Sequence, residues 1–267
     1  MGDQEQYIAQ AYEPHIMTTE VHDSFGYLAV LSDIHEGLNC REYLQKQIDF
    51  IMSMGDNFKV VIGGDATNTV TSNSKGNVLE ETLSGEEQIY GLIDDIKPLY
   101  DSGKLLGIVS GNHPDRVYNE TYISIEKIIA NLLGDDSLYK GSQGIVYFTV
   151  NNNTYVHYIL HRHVVRRDAY DYFNADCVWK EHLHAPEVTP KVLITHDLKH
   201  KKPIPRICYE IKQPSFQCYP DYIKKSGGRP LPMGYYVCQM SGDSNNKKLT
   251  PIWNEDLKTM VNMRIRL

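Results

Sequence analysis

Asp33 and His35 leave an apolar run at 27–32 (YLAVLS) one residue apart, and two later apolar runs end in Gly63-Gly64-Asp65 and Gly111-Asn112-His113. Further on, His161 follows another such run in YVHYILHRH, and VWKEHLHAP carries His182 and His184. Residues i and i+2 of an extended segment face the same way, so Asp33 and His35 can converge on one point. Carboxylate, imidazole and amide oxygen are the donors that first-row divalent metals take. Singly these signals are weak: Asp-x-His arises by chance, Gly-Asp is a common turn, and His-x-His is more often two solvated imidazoles. Their shared position after apolar runs gives them weight, because open α/β sheets build their sites at strand C-termini.

The elements that must position them read as α/β. The run at 27–32, helical spacing at 41–54 (Leu44, Ile48, Ile51, Met52) and the β-rich 59–62 make a βαβ unit. Segment 86–96 reads as a helix, 105–109 as a buried strand and 123–133 as a helix, with the strands mostly parallel. The second half is richer in strands: a hairpin at 145–150 and 155–160 around Asn151, Asn152 and Asn153, then runs at 177–179, 192–195, 206–211 and 235–240. The expectation is one α/β domain over 25–245, two packed mixed sheets flanked by helices, between an N-terminal extension (1–24) and a C-terminal segment (246–267).

Composition narrows the class. The 267 residues are 41% hydrophobic and 23% charged, with a net charge of −7, which disfavours non-specific coating of nucleic acid but not a nuclease whose metals supply local positive charge. No apolar stretch approaches the ~20 residues of a membrane helix. The first residues lack the pattern of a signal peptide, so a cytoplasmic protein with no membrane partner is expected. The five cysteines (40, 177, 208, 218, 238) are scattered without a CxxC pair and read as reduced, mostly buried thiols.

The motif order D-x-H, GGD, GNH, a lone His after a strand, then H-x-H resembles that of the calcineurin-like metallophosphoesterases. The resemblance covers roughly 28–185, and SFQCYPDYIKKSGGRPLPMGYYV is similar to the closing segment of small, phage-type members. It implies two divalent ions: Asp33, His35 and His184 on one, Asn112, His161 and His182 on the other, with Asp65 bridging. Such mixed donors suit Mn best, with Fe, Zn or Ni as alternatives. The implied activity is hydrolysis of phosphate esters, the ions acidifying a shared water that attacks phosphorus. His113 would serve the leaving oxygen, Asp115 would orient His113, and Arg116 would pair with a phosphate oxygen.

This chain departs from the family pattern in three places. Glu181 stands where the last motif usually has glycine, Pro114 follows GNH where an acidic residue is usual, and His157, His161 and His163 all compete as the lone-His ligand. His161 is chosen because it stands at the strand end. Thr195-His196-Asp197 with His200 (THDLKH) is a weaker rival for the last motif, its spacing read as a one-face helical pair. The basic stretch 191–229 is either a solvated edge or a phosphate-facing rim. A diester, with a nucleic acid or nucleotide as target, is expected over a monoester; a phosphomonoesterase and a non-catalytic scaffold that has lost its metals are the competing readings.

Overall fold

In the computed structural model, residues 3–71, 81–161, 174–219, 227 and 229–265 are described. The chain builds α1 (Asp3–Tyr12), β1 (Ile16–Val21), β2 (Phe25–Leu31), α2 (Arg41–Ser53), β3 (Phe58–Ile62), α3 (Gly85–Asp101), β4 (Leu105–Ile108), α4 (Asn112–Thr121) and α5 (Ile125–Leu133). It continues through β5 (Gln143–Val150), β6 (Asn153–Leu160), β7 (Cys177–Lys180), β8 (Glu187–Asp197), β9 (Lys202–Lys212), β10 (Tyr236–Ser241), β11 (Leu249–Trp253) and a last helix, α6 (Asn254–Ile265).

The strands form two mixed sheets, a six-stranded one ordered β1-β5-β6-β7-β9-β8 and a five-stranded one ordered β11-β10-β2-β3-β4. Strands β2, β3 and β4 run parallel, as the βαβ pattern requires. β2 shows why its sequence is almost wholly apolar. Ala29 and Leu31 face a core shared with Leu44, Ile48 and Ile51 of α2, Leu92 and Ile96 of α3 and Ile129 of α5. Leu28 and Val30 face the other way, onto Val146, Phe148, Ile159 and Trp179 of the six-stranded sheet. A strand buried on both faces cannot alternate with polar residues.

Local signals set the helix ends. Ser84 and Glu87 make a reciprocal capping box that starts α3, while Ser124 caps α5 and left-handed Gly134 ends it. The segments set apart from the domain in sequence both contribute strands to it. β1 pairs in parallel with β5, and β11 pairs antiparallel with β10. THDLKH is not helical: Thr195 to Asp197 end β8 and His200 lies in the following turn, its Nδ1 2.6 Å from Asp197 Oδ2.

The cysteine expectation is corrected in part. Cys40 and Cys218 form a disulfide with a Cα separation of 5.4 Å, while Cys177, Cys208 and Cys238 are buried free thiols. Wide sequence spacing hid the pair, since Cys40 precedes α2 and Cys218 follows β9, and only the fold brings those loops together. Among the described residues no helix is long and apolar enough to cross a membrane.

Candidate metal centre

The ends of β2 and β3 are tied together beyond the strands. Asp33 N–H donates to the Gly64 carbonyl at 2.9 Å and His35 N–H to the Asp65 carbonyl at 3.0 Å, so the first two motifs are held in register by backbone alone. Asp33, His35, Asp65, His182 and His184 all have positive φ, from 51° to 82°. That conformation costs a non-glycine residue about 1–2 kcal/mol, and strained backbone of this kind concentrates at functional sites. Two glycines are fixed by close approach: a Cβ on Gly64 would lie 2.4 Å from His161 Cγ, and one on Gly111 would lie 2.1 Å from the Asp65 nitrogen.

The metal-ligand candidates come together in two overlapping groups. In the first, His184 Nε2 lies 2.9 Å from Asp33 Oδ1 and 3.3 Å from His35 Nε2. In the second, His161 Nε2 lies 3.0 Å from Asn112 Oδ1 and 3.0 Å from Asp65 Oδ2, with the His182 ring 5.3 Å from that of His161. Ligand atoms of Asp65, His161 and His182 fall within 4.8 Å of one another, as do those of Asp33, His35 and His184 and those of His35, Asp65 and His113. Asp65 therefore stands between the groups.

Supporting contacts choose the histidine tautomers. Asn68 Oδ1 is 3.0 Å from His35 Nδ1, and the Asn68 carbonyl is 2.7 Å from His113 Nδ1. Glu181 Oε2 is 3.2 Å from His161 Nδ1 and accepts the Gly64 N–H at 2.7 Å. In each case the Nδ1 proton is engaged and Nε2 is turned toward the cluster, the arrangement by which outer carboxylates and carbonyls prepare imidazole ligands. Asn68 was not singled out in the sequence, where it stands in the polar run TNTVTSNSKG; its only signal is its place three residues after Asp65.

The Asn68 carbonyl holds the His113 ring, while Asp115 is exposed on α4 and its Oδ1 takes a 3.5 Å contact from Ser110 Oγ. Asn112 and His113 open α4 rather than sitting in a loop, and Pro114, which takes the place of the usual acidic residue, is readily accommodated in a first helical turn. Arg116, on the same helix, is near enough that its charge adds to the burial that lowers the His113 pKa. His157 lies in the core, its Nδ1 3.2 Å from the Trp179 indole nitrogen and its Nε2 beside Met240 Sδ at 3.1 Å. With Nδ1 accepting from the indole it is a satisfied core histidine, although Cys177 and Cys238 are near it. His163 lies outside the described residues.

The electrostatics ask for a cation. Asp33 and Asp65 are 0% and 1% exposed, and among the described residues the ion-pair partners of both are histidines rather than Lys or Arg. Burial pushes the Asp65 carboxyl up, but His161, His113 and His35 more than reverse this and hold it below the usual carboxylate range. Burial opposes charge on His161, yet Asp33, Asp65 and Glu181 raise its pKa well above the ordinary value. Burial and His113 push His35 down to about 3, leaving it a neutral donor. A pair of buried carboxylates ringed by imidazole and amide donors fits divalent ions, which compete with the proton that His161 otherwise holds. A pocket of about 200 Å³ opens beside His184, lined also by Ser215, Gln217, Tyr219 and Arg229.

No protein-family model and no curated protein matches the chain. Among solved structures, similar ones include a predicted phosphoesterase from Streptococcus pneumoniae TIGR4 (11% identity, 87% of this chain and 92% of that one, TM-score 0.38). Also similar are Vps29 from Entamoeba histolytica complexed with zinc (11% identity, 85% and 99%, TM-score 0.36) and vacuolar protein sorting 29 from Cryptosporidium parvum (10% identity, 86% and 98%, TM-score 0.42).

Proposed function

We propose that this protein is a two-metal phosphoesterase of the calcineurin-like kind. The observation that carries the reading is the convergence of Asp33, His35, Asp65, Asn112, His161, His182 and His184, drawn from five separate segments, around two buried carboxylates. Asp33, His35 and His184 would hold one ion, and Asn112, His161 and His182 the other, with Asp65 shared. Manganese is the proposed metal, because no thiolate enters the cluster and oxygen donors from Asp33, Asp65 and Asn112 reach both groups beside the imidazoles. Bound there, the ions supply Lewis acidity and lower the pKa of a coordinated water toward ~7.

The protein's own groups complete the chemistry. His113, held through Nδ1 by the Asn68 carbonyl, presents Nε2 3.8 Å from Asp65 Oδ2 and is placed to give a proton to the leaving oxygen. Burial lowers its pKa, which makes its protonated form a stronger acid. The N-terminus of α4, at which Asn112 and His113 sit, adds positive potential toward a phosphate, and Arg116 is the candidate to pair with a phosphate oxygen.

The finer reading is a diesterase acting on nucleic acid or a nucleotide. Its support is the exposed Lys199, Lys201 and Lys202 at the tip of the β8–β9 hairpin. Part of the basic stretch is already spent: Lys212 pairs with Glu187, and Arg206 bonds the Ala175 carbonyl; Lys224 and Lys225 lie outside the described residues. The proposal places the enzyme in the cytoplasm, where thiol pools reduce disulfides, so the site must work without the Cys40–Cys218 bridge.

Hydrolysis of bis(p-nitrophenyl) phosphate, p-nitrophenyl phosphate and single-stranded DNA by chelator-stripped and manganese-loaded protein tests this. Metal-restored cleavage with the diester ahead is expected. Preference for the monoester would replace the diesterase with a phosphatase, and no metal-dependent cleavage of any of the three would leave the scaffold reading.

A further inference from the structure

Strand β8 is the outermost strand of the six-stranded sheet, and its 11 residues extend about 36 Å at ~3.3 Å each. Its partner is β9, with Pro190 opposite Tyr209, Ile194 opposite Pro205 and His196 opposite Pro203. Proline has no N–H to give a ladder, and all three prolines fall on pairs of the same phase. Tyr209 N–H donates to the Asp176 carbonyl at 3.0 Å and Gln213 N–H to the Lys180 carbonyl at 2.8 Å. The odd-numbered residues of β9 thus point their backbone toward β7, and the even-numbered ones point theirs toward β8.

The phase of β8 follows. Its odd-numbered residues bond β9, so Val192, Ile194 and His196 turn their N–H and C=O groups to the edge that no described strand pairs. On the sheet face these residues share with Ile207, apolar surface is left in water: Val192 is 70% exposed, Ile194 64% and Ile207 53%. Long edges with apolar side chains pair with other strands unless something blocks them. Pro190 protects only the start of this one.

We propose that β8 pairs antiparallel with β8 of a second copy of this chain, joining two six-stranded sheets through a two-fold axis at Ile194. Charge selects that register. Centred on Ile194, Lys191 lies opposite the partner's Asp197, twice by symmetry, and Val192 lies opposite the partner's His196. Centred on Val192, Glu187 would instead face the partner's Asp197, and like charges directly opposite destabilise a pair. The Ile194 centre also puts outward-facing residues opposite each other, so Ile194 exchanges both backbone hydrogen bonds with the partner's Ile194. Because the two hairpins run in opposite directions, the basic tip of one reaches the base of the other. Lys199 comes opposite the partner's Thr189, about five residues or ~17 Å from the partner's His184. Within its own chain the same lysine is roughly 15 residues, or ~50 Å of strand length, from His184.

Sedimentation velocity of the full chain over a concentration series tests this independently of any activity. Wild type is expected to be a reversible dimer. Ile194→Lys and Lys191→Asp should each weaken the dimer by about 10-fold or more, and Ile194→Lys, whose side chain stands on the exposed face, should leave thermal unfolding unchanged. Lys191→Asp combined with Asp197→Lys should restore it. A wild type that stays monomeric at every concentration, or an Ile194→Lys variant that dimerises as wild type does, overturns the proposal.

Discussion

Glu181 Oε2 bonds both His161 Nδ1 at 3.2 Å and the Gly64 N–H at 2.7 Å, so one buried carboxylate ties a ligand candidate of the fourth motif to the backbone of the second. The residue that departs from the motif by replacing glycine is thus an outer support of the candidate metal site. A Cβ on Gly63 would lie 2.3 Å from Glu181 Oε1, which makes Gly63 and Glu181 mutually dependent. Glu181→Ala is expected to weaken metal binding by about 10- to 100-fold, the usual cost of losing such a support. Glu181→Gln should lose less, because its amide oxygen can still accept from Nδ1. Competition against a metallochromic chelator measures both.

His113→Ala should cut turnover by about 10² to 10⁴ while leaving metal content at the wild-type level. Single-turnover hydrolysis, paired with metal analysis of the same sample, separates this from a damaged site. Equal turnover in the variant removes His113 from the mechanism.

Much of this centre was legible in the sequence because its ligand candidates follow apolar runs, and a strand buried on both faces, such as β2, is unmistakable as a run. Asn68 was not legible: its contribution to His113 is a backbone carbonyl, which every residue has. Asp115 is the opposite case, an acidic residue at a plausible distance in sequence that stands exposed on α4 while the Asn68 carbonyl meets the His113 ring. β1 and β11 were missed because each is an edge strand: β1 (IMTTEV) interrupts its apolar residues with polar ones, and β11 contains Pro251. THDLKH shows the limit of spacing alone, since H-x3-H fits one face of a helix and also a strand end running into a turn.

Glu126 on α5 is buried beside Ser110 and Gly111, and burial pushes its carboxyl up to about 8 from 4.5. A raised acid binds its proton more tightly folded than unfolded. Its contribution to stability is therefore full below about 4.5 and is lost as pH rises from there to about 8. Glu126→Gln should remove that loss and stabilise the protein at pH 7–8 by about 3–4 kcal/mol, with little effect near pH 4. Urea unfolding at the two pH values checks the sign.

The Cys40–Cys218 bridge spans 178 residues of sequence. Opening it with reductant, or in Cys40→Ser, should cost about 2–4 kcal/mol of stability through the freedom returned to the unfolded chain. Metal content should be unchanged, as neither sulfur belongs to the cluster. Thermal unfolding with and without reductant gives the difference.

The central claim is that two ions share Asp65, and metal counting tests it most directly. Protein purified without chelator and dialysed against manganese should carry about two equivalents per chain by plasma mass spectrometry. Asp65→Asn, which keeps the side-chain shape and removes the charge between the two groups, should fall below about one. Two equivalents retained by Asp65→Asn, or none bound by the wild type, would contradict the account.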